Sequence, residues 1–523
     1  MRYKTNMIAR RHIAAFVIAT AASSALGCAT GGPAKVASCV PSVDQRHDAD
    51  SSAQDGCYDC LLRARDAYQR LIVDCHSSQL LVRLFDTQLL VTLRERELAI
   101  DDEASMAAAE RLAARLPATA NASRYLGMVA AIRPDAEGMG ESRVARTSED
   151  VIRAELAWLD RSPPGRLLDQ YLRVALECEL QDPALPDANA ATIPLLQYRQ
   201  ALCGTTVNVP AMQQVRGRVP EFHEAALFVA RTLSSPEAGL DHAEMLRLLT
   251  VAHERFPQST AVAYQLAVVA NAAGQCERAE RHYSEALKLR PSHEGARLGR
   301  AICLSQLGRY DEAITDASVV IDAGAGGAGE ALYWRAWSRY QTHALSEARA
   351  DIDRAKQMHR TPTTLMLAGL IELEQSDFGL AHDDLREAVS LSPAYCQARW
   401  QLGVVDFRRQ DFEVSAHTFA AAASCYAEAT LSNRSSLAAV MARTDIDGDS
   451  RARRVGALEA ERRELERGHD SAVLNAALNY ARAGDRERGA AYLQQAGPNA
   501  PRDTVEEVAR ALGIKMPSTK PAN

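Results

Sequence analysis

Aromatic residues are scarce in this 523-residue chain, at 5%. Runs of β-branched residues are few as well, whereas Ala, Leu, Arg and Glu abound. That balance argues against a sheet-built fold and reads as nearly all-helical. Neither charge sign dominates: 60 basic against 67 acidic residues leave a net charge of −7. The balance favours solubility and offers no broad nucleic-acid footprint. No G-x-S-x-G and no P-loop occur, so two common catalytic signatures are missing. The apolar stretch "IAAFVIATAASSAL" near the N-terminus falls short of the roughly 20 residues a spanning helix needs. What the length does allow is several core-sized units or one extended array.

The first 28 residues read as an address. A cationic start, "MRYKTNMIARRH", precedes the apolar stretch, which runs into "ALGC". This ending resembles the lipobox of bacterial lipoproteins, with Leu26 one place later than usual. The resemblance implies cleavage before Cys28 and a lipid on Cys28. It places the protein in the bacterial envelope facing the periplasm, at the outer membrane ahead of the inner. An ordinary secretory signal cut nearby would instead release a soluble periplasmic or secreted protein. Residues 29–56 are rich in Gly, Ser, Ala and Asp and read as a flexible tether.

From about residue 226 onward the chain repeats itself with a period near 34. "GQCERAERHYSEALKLRP" sets Ala279, Tyr283 and Ala286 after a Gly turn and ends on Pro291. The next copies carry Ala313, Ala317 and Val320, then Ala348, Ile352 and Ala355. Two more carry Ala381, Leu385 and Ala388, ending on Pro393, and Ser415, Phe419 and Ala422. The leading small residues are 34, 35, 33 and 34 apart, and twelve residues before each stands another: Ala267, Ala301, Ala336, Gly369 and Gly403. Packed helices approach to about 8–10 Å, which a small side chain at the crossing permits. Five copies in register resemble the tetratricopeptide repeat family, which implies an all-α, right-handed α-solenoid of antiparallel helix hairpins. The array is assigned to 226–503, with a divergent copy ending at Pro257 in front. Behind it, "SRARRVGALEAERRELERG" is read as the second helix of a degenerate repeat, and a last copy carries Ala477, Gly489, Leu493 and Ala496. Residues 504–523 are a helix end and a disordered tail.

Within the array, Gly324, Gly326 and Gly329 spell G-x-G-x-x-G, the fingerprint of a dinucleotide-binding turn. That turn needs a strand in front of it and an acidic residue ending a second strand about 20 residues on. Here the preceding segment, "DEAITDASVVID", is a repeat's second helix, and the region beyond, "SEARADIDRAKQ", is another. The glycines therefore read as an inter-repeat joint, and no cofactor is expected.

The region 57–225 carries helix-period apolar faces in a less regular order and reads as decayed helical hairpins stacked on the array. The Pro-rich interval 183–220 is its candidate boundary. Eleven cysteines leave ten once Cys28 is assigned to lipid. In a hairpin solenoid the start of one helix lies beside the end of its neighbour, which pairs Cys276 with Cys303 and Cys396 with Cys425. Cys178 and Cys203 are similarly spaced, while the pairing of Cys39, Cys57, Cys60 and Cys75 stays open. An exported protein favours disulfides; buried free thiols are the alternative. Cys57-x-x-Cys60 is a redox or zinc candidate only weakly, without a βαβ context or usual zinc spacing.

Other chemistry fails on spacing. Asp445, Asp447 and Asp449 open like a calcium loop, but Arg451, Arg453, Arg454 and Gly456 follow where a closing Glu is needed. His223-Glu224 lacks the second His of H-E-x-x-H, and His382 beside Asp383 and Asp384 reads as a solvated helix face. No metal site and no catalytic residue is assigned; the chain reads as non-enzymatic.

The repeat resemblance implies binding on the concave surface formed by each first helix. In register that surface carries Tyr264, Leu298, Ile302, Tyr333, Trp337, Tyr340, Met366, Leu370, Trp400, Val404 and Phe407. Two of the four Trp fall there, and the apolar character suits a peptide or helix of a partner protein. The reading is a lipid-anchored, non-catalytic scaffold. The alternative is a component that captures envelope glycan or peptide, or an accessory subunit of an envelope enzyme or secretion complex.

Overall fold

A computed structural model describes residues 42–132, 149–161, 165–180, 192–202, 208–225, 227, 242–324, 326–443, 448–497 and 500–515. Among these residues there are 23 α-helices and no strand. The front helices are α1 (Val43–Asp55), α2 (Tyr58–Asp74), α3 (Ser78–Glu97), α4 (Glu103–Ala113), α5 (Ala122–Ala131), α6 (Glu149–Leu159), α7 (Leu167–Leu180), α8 (Pro194–Ala201) and α9 (Val209–Arg218). The array follows with α10 (His242–Arg255), then the pairs α11 (Thr260–Ala272) with α12 (Cys276–Leu289) and α13 (Glu294–Gln306) with α14 (Tyr310–Ala323). Next come α15 (Ala328–Gln341) with α16 (Leu345–Met358) and α17 (Pro362–Glu374) with α18 (Phe378–Leu391). The C-terminal helices are α19 (Cys396–Arg408), α20 (Phe412–Ala442), α21 (Gly448–Arg482), α22 (Arg486–Leu493) and α23 (Arg502–Leu512).

The small residues stand where the helices of each pair cross. Ala267, Ala279, Ala301, Ala313, Ala336, Ala348 and Ala381 are all buried. At Gly369 an added Cβ would lie 2.6 Å from Leu385 Cγ, and at Gly403 it would lie 3.0 Å from the Phe419 ring. Ser415 Oγ donates to the Gly403 carbonyl at 2.9 Å, tying that crossing directly. Each pair packs on the next, and first helices also touch first helices, so the fold is an α-solenoid. Inside each pair the turn contains one left-handed residue: Gly274, Gly308, His343, Ser376 and Gln410, with φ between 59° and 77°. Gly324, at φ 70°, caps α14 and leads straight into α15. Among the described residues no strand stands beside the glycine run, which joins two helices.

Three expectations are revised. The end of the tether is ordered: α1 spans Val43–Asp55, buries Ala49 and Ala53, and joins α2 through Tyr68 Oη, which donates to Asp50 Oδ1. The segment "SRARRVGALEAERRELERG" does not end a degenerate repeat. It runs unbroken into the next first helix as α21, 35 residues long, which lies along the 31-residue α20. Gly468 lets the two approach, since a Cβ there would lie 2.6 Å from the Tyr426 ring. Cys276 and Cys303 are free thiols; both face Asn271 Oδ1, and Cys276 Sγ donates to Gln306 Oε1 at 2.9 Å.

The front region folds around Leu61, Phe85, Leu89 and Leu172 and around an ionic hub centred on the fully buried Arg94 and Glu224. Arg94 pairs with Glu224 at 2.7 Å and with Glu97, and its guanidinium lies 4.0 Å from the Tyr198 ring centre. Glu97 also accepts from Tyr171 at 2.7 Å and Tyr198 at 3.1 Å. The backbone N–H of Tyr58 donates to Glu224 at 2.7 Å. Glu224, weighed in the sequence only as part of an incomplete H-E-x-x-H, is therefore a structural counter-ion. One shared core then joins front and array: Leu98, Tyr198 and Phe222 pack in the same cluster as Phe256, Leu266 and Tyr283.

Candidate functional site

The eleven predicted groove residues divide into four environments. Leu298 and Met366 are buried among their neighbours and belong to the core. Trp400, Val404 and Phe407 face the C-terminal hairpin. Trp400 meets the Phe419 ring edge-on at 5.8 Å and packs with Val473 on α21. Val404 packs with Ala476 and Tyr480, and Arg482 lies 4.8 Å from the Phe407 ring centre. The long helix α21 therefore covers this end of the predicted surface. Leu370 packs into the α17–α18 core. Tyr264 stacks with His293 at 4.6 Å and leans on Tyr283 at 6.0 Å.

What stays together is a patch on α15. Tyr333, Trp337 and Tyr340 follow at i, i+4 and i+7, which sets them on one helix face. With Ile302 of α13 they rest, half-buried, on the core formed by Leu298, Ala336, Ile371 and their neighbours. Trp337 and Tyr340 lie 6.0 Å apart, and Trp334 meets Tyr333 edge-on at 5.4 Å. Burial raises the phenol pKa of both Tyr333 and Tyr340, with the Glu374 charge adding at Tyr340. Among the described residues, the Tyr333 and Tyr340 hydroxyls and the Trp337 indole N–H make no side-chain hydrogen bond. The ring bodies are seated, and their polar tips have no hydrogen-bond partner among the described residues.

Behind the patch runs a buried ionic ladder that no motif in the sequence singles out. Arg300 holds Asp316 with two bonds of 2.7 and 2.8 Å, and Arg335 holds Asp351 with 2.8 and 2.7 Å. One repeat on, Lys356 from the preceding pair takes Asp384. The signal for it lay in the period: Arg300 and Arg335 are 35 apart, and Asp316, Asp351 and Asp384 are 35 and 33 apart. On the next two first helices come buried carboxylates, Glu372 and Asp406. Burial pushes Glu372 up to about 7, with Asp384 acting the same way and Arg349, 3.1 Å away, opposing. Burial raises Asp406 as well, against a hydrogen bond from Thr418 at 2.8 Å and the charge of His382. His382, expected on a solvated face, lies 3.6 Å from Asp406.

The remaining candidates are placed as follows. Cys396 and Cys425 are disulfide-bonded with Cα atoms 5.5 Å apart, joining the start of α19 to α20. Cys57 is bonded to Cys60 at the N-terminus of α2, and both are buried. Cys75 and Cys178 are each in a disulfide as well. Cys28, Cys39 and Cys203 lie outside the described residues, as do Asp445 and Asp447. Two larger cavities lie away from α15. One of about 560 Å³ lies between α1, α3 and α7, with Asp50, Arg83, Asp86 and Arg166 in its wall. The other, of about 470 Å³, lies along α20 and α21 beside Arg434, Glu466 and Asp470. No described helix is long and apolar enough to cross a membrane.

Residues 264–328 match the family model described as tetratricopeptide repeat. No curated protein matches the chain. Among solved structures, MamA from Desulfovibrio magneticus is 17% identical, covering 33% of this chain and 96% of its own at a TM-score of 0.30. YrrB, a TPR protein with an unusual peptide-binding site, is 18% identical over 34% of this chain and 91% of its own, at 0.29. A tetratricopeptide repeat protein from Parabacteroides merdae is 12% identical over 56% of this chain and 98% of its own, at 0.35. That family is in general non-catalytic and serves protein interaction. The matched segment runs from Tyr264 in α11 to the first residue of α15, and the same helix-pair geometry continues beyond it. Residues 264–328 thus match the tetratricopeptide repeat family within a longer stack of helix pairs.

Proposed function

We propose that the protein is a non-catalytic scaffold of the bacterial cell envelope, tethered by a lipid on Cys28, that binds a peptide segment of a partner protein on the α15 face. One observation carries the binding part. Tyr333, Trp337 and Tyr340 are held half-buried in one row while their hydroxyl and indole donors have no partner within the described residues. Large rigid rings with a polar tip are the side chains that dominate binding energy at protein interfaces. The site is narrower than the sequence register implied, since α21 covers Trp400 and its neighbours. The "ALGC" ending and the cationic, apolar leader support the anchor.

The test replaces Trp337 and Tyr340 by Ala, singly and together, and compares Trp400→Ala. Capture from envelope extracts should fall at least tenfold for Trp337→Ala. Trp400→Ala should lower stability rather than capture at a temperature where it stays folded. Retained capture by the double variant rejects the face. Binding of cell-wall oligosaccharides in place of protein would move the site to the glycan reading.

A further inference from the structure

His253 stands near the end of α10, the second helix of the divergent repeat, and His282 and Glu285 stand one turn apart on α12, the second helix of the next. All three side chains are partly buried, and one atom of each lies within 4.8 Å of the others. The Glu285 Oε2 atom is the common neighbour, 2.8 Å from His282 Nδ1 and 3.4 Å from His253 Nε2. The two imidazoles sit at 79° with centroids 5.6 Å apart. A tetrahedral zinc ion with bonds of about 2.0–2.1 Å places its ligand atoms about 3.3 Å from one another. The two separations to Glu285 bracket that edge length, and the His253 and His282 ligand atoms lie within 4.8 Å of each other, so ring rotation is the adjustment that sets the three on corners of one tetrahedron. We infer that His253, His282 and Glu285 form a site for one divalent transition metal of the zinc class, clipping α10 to α12.

The chemistry of the surroundings fits a ligand set better than an ion pair. An imidazole ligates through a neutral lone pair. The nearby cation Arg278 is turned to Thr250 Oγ1 at 3.0 Å. Two nitrogens and one carboxylate oxygen suit zinc, with hard calcium and magnesium disfavoured. Three protein ligands leave a fourth position for water or an incoming side chain. No sequence motif displays the site, because its members are 29 and 3 residues apart and meet only when successive second helices stack.

The experiment uses the purified full chain, stripped with chelator and titrated with Co²⁺ and then Zn²⁺. One equivalent should bind, giving the visible bands of tetrahedral cobalt without a near-ultraviolet thiolate band, which separates this site from Cys276 and Cys303. Zn²⁺ should displace the cobalt and raise the melting temperature. His253→Ala, His282→Ala and Glu285→Gln should each weaken binding at least tenfold, with helicity checked by circular dichroism. His359→Ala, at an exposed residue, should leave binding unchanged. Glu285→Gln preserves the side-chain shape and decides the matter if a His variant misfolds. An absent saturable site, a thiolate band, or wild-type affinity in Glu285→Gln overturns the assignment.

Discussion

Glu372 shows how much a single buried group can impose on this array. Its carboxyl faces Arg349 across 3.1 Å but is otherwise enclosed, and its pKa stands at about 7 against an ordinary 4.5. Between those two values the folded state keeps a proton that the unfolded chain has released. The contribution is therefore complete below about pH 4.5 and is lost as pH rises towards and through 7. The 2.5-unit difference corresponds to about 3 kcal/mol at most. Glu372→Gln should flatten this part of the profile. Arg349 keeps Asp353 at 3.0 Å in the variant. Urea midpoints at pH 5 and pH 8 provide the check: the variant should gain on wild type at pH 8 by roughly 1–3 kcal/mol relative to pH 5. An equal pH dependence in the two proteins would show that Glu372 does not hold a raised pKa. Neither Glu372 nor the Arg–Asp ladder behind α15 was legible as chemistry, because a charged residue on a helix reads as solvated until its neighbours are known. The small residues were legible, because sterics at a crossing act on residue type directly.

At the scale of the element, the helix pairs were readable and their exceptions were not. Periodic Ala and Gly, with a Gly or Pro at the joints, mark the helix boundaries from α11 to α19. The 31 residues of α20 contain neither Gly nor Pro. Nothing in the chain stops that helix after one repeat length, and nothing in the period could show that it would not stop. The covering of Trp400 by α21 follows from that continuation and escaped the sequence for the same reason. A second element-level feature is the turn inside each pair. It demands a left-handed residue, and Gly occupies it at 274 and 308, whereas His343, Ser376 and Gln410 carry a side chain there at φ 59°, 65° and 66°. A side chain in this region costs about 1–2 kcal/mol, of which Gly returns part through greater freedom in the unfolded chain. Ser376→Gly and Gln410→Gly should each stabilise by about 0.5–1 kcal/mol. Both side chains lie on the surface, so no packing term opposes the gain. Thermal or urea unfolding measures it, and destabilisation by both would show that these turns do not hold the left-handed form.

At the scale of the whole molecule, the question is how far a local disturbance travels. In a stack of repeats each unit touches mainly its neighbours, so stability is close to a sum of local and nearest-neighbour terms. The front region departs from that rule, because it shares a core with the first pairs. Phe256, which ends the divergent repeat, is buried and meets the Tyr58 ring edge-on at 5.8 Å. Ser259, three residues on, caps α11 and donates its hydroxyl to the Leu98 carbonyl at the end of α3. Arg94 and Glu224 seal the same junction from the other side. Phe256→Ala should therefore cost about 3–5 kcal/mol, and the loss should be spread over both sides of the junction. Hydrogen exchange under native conditions resolves this by segment. Protection should fall together in α2, α3 and α10 to α12, while α17 to α21 stay near wild-type values. Phe419→Ala, at the other end, should show the opposite pattern, opening α19 to α21 and leaving α2 and α3 closed. Uniform loss along the chain in both variants would mean that the molecule unfolds as one cooperative unit. Loss confined to α10 and α11 in Phe256→Ala would mean that the front region stands on its own core.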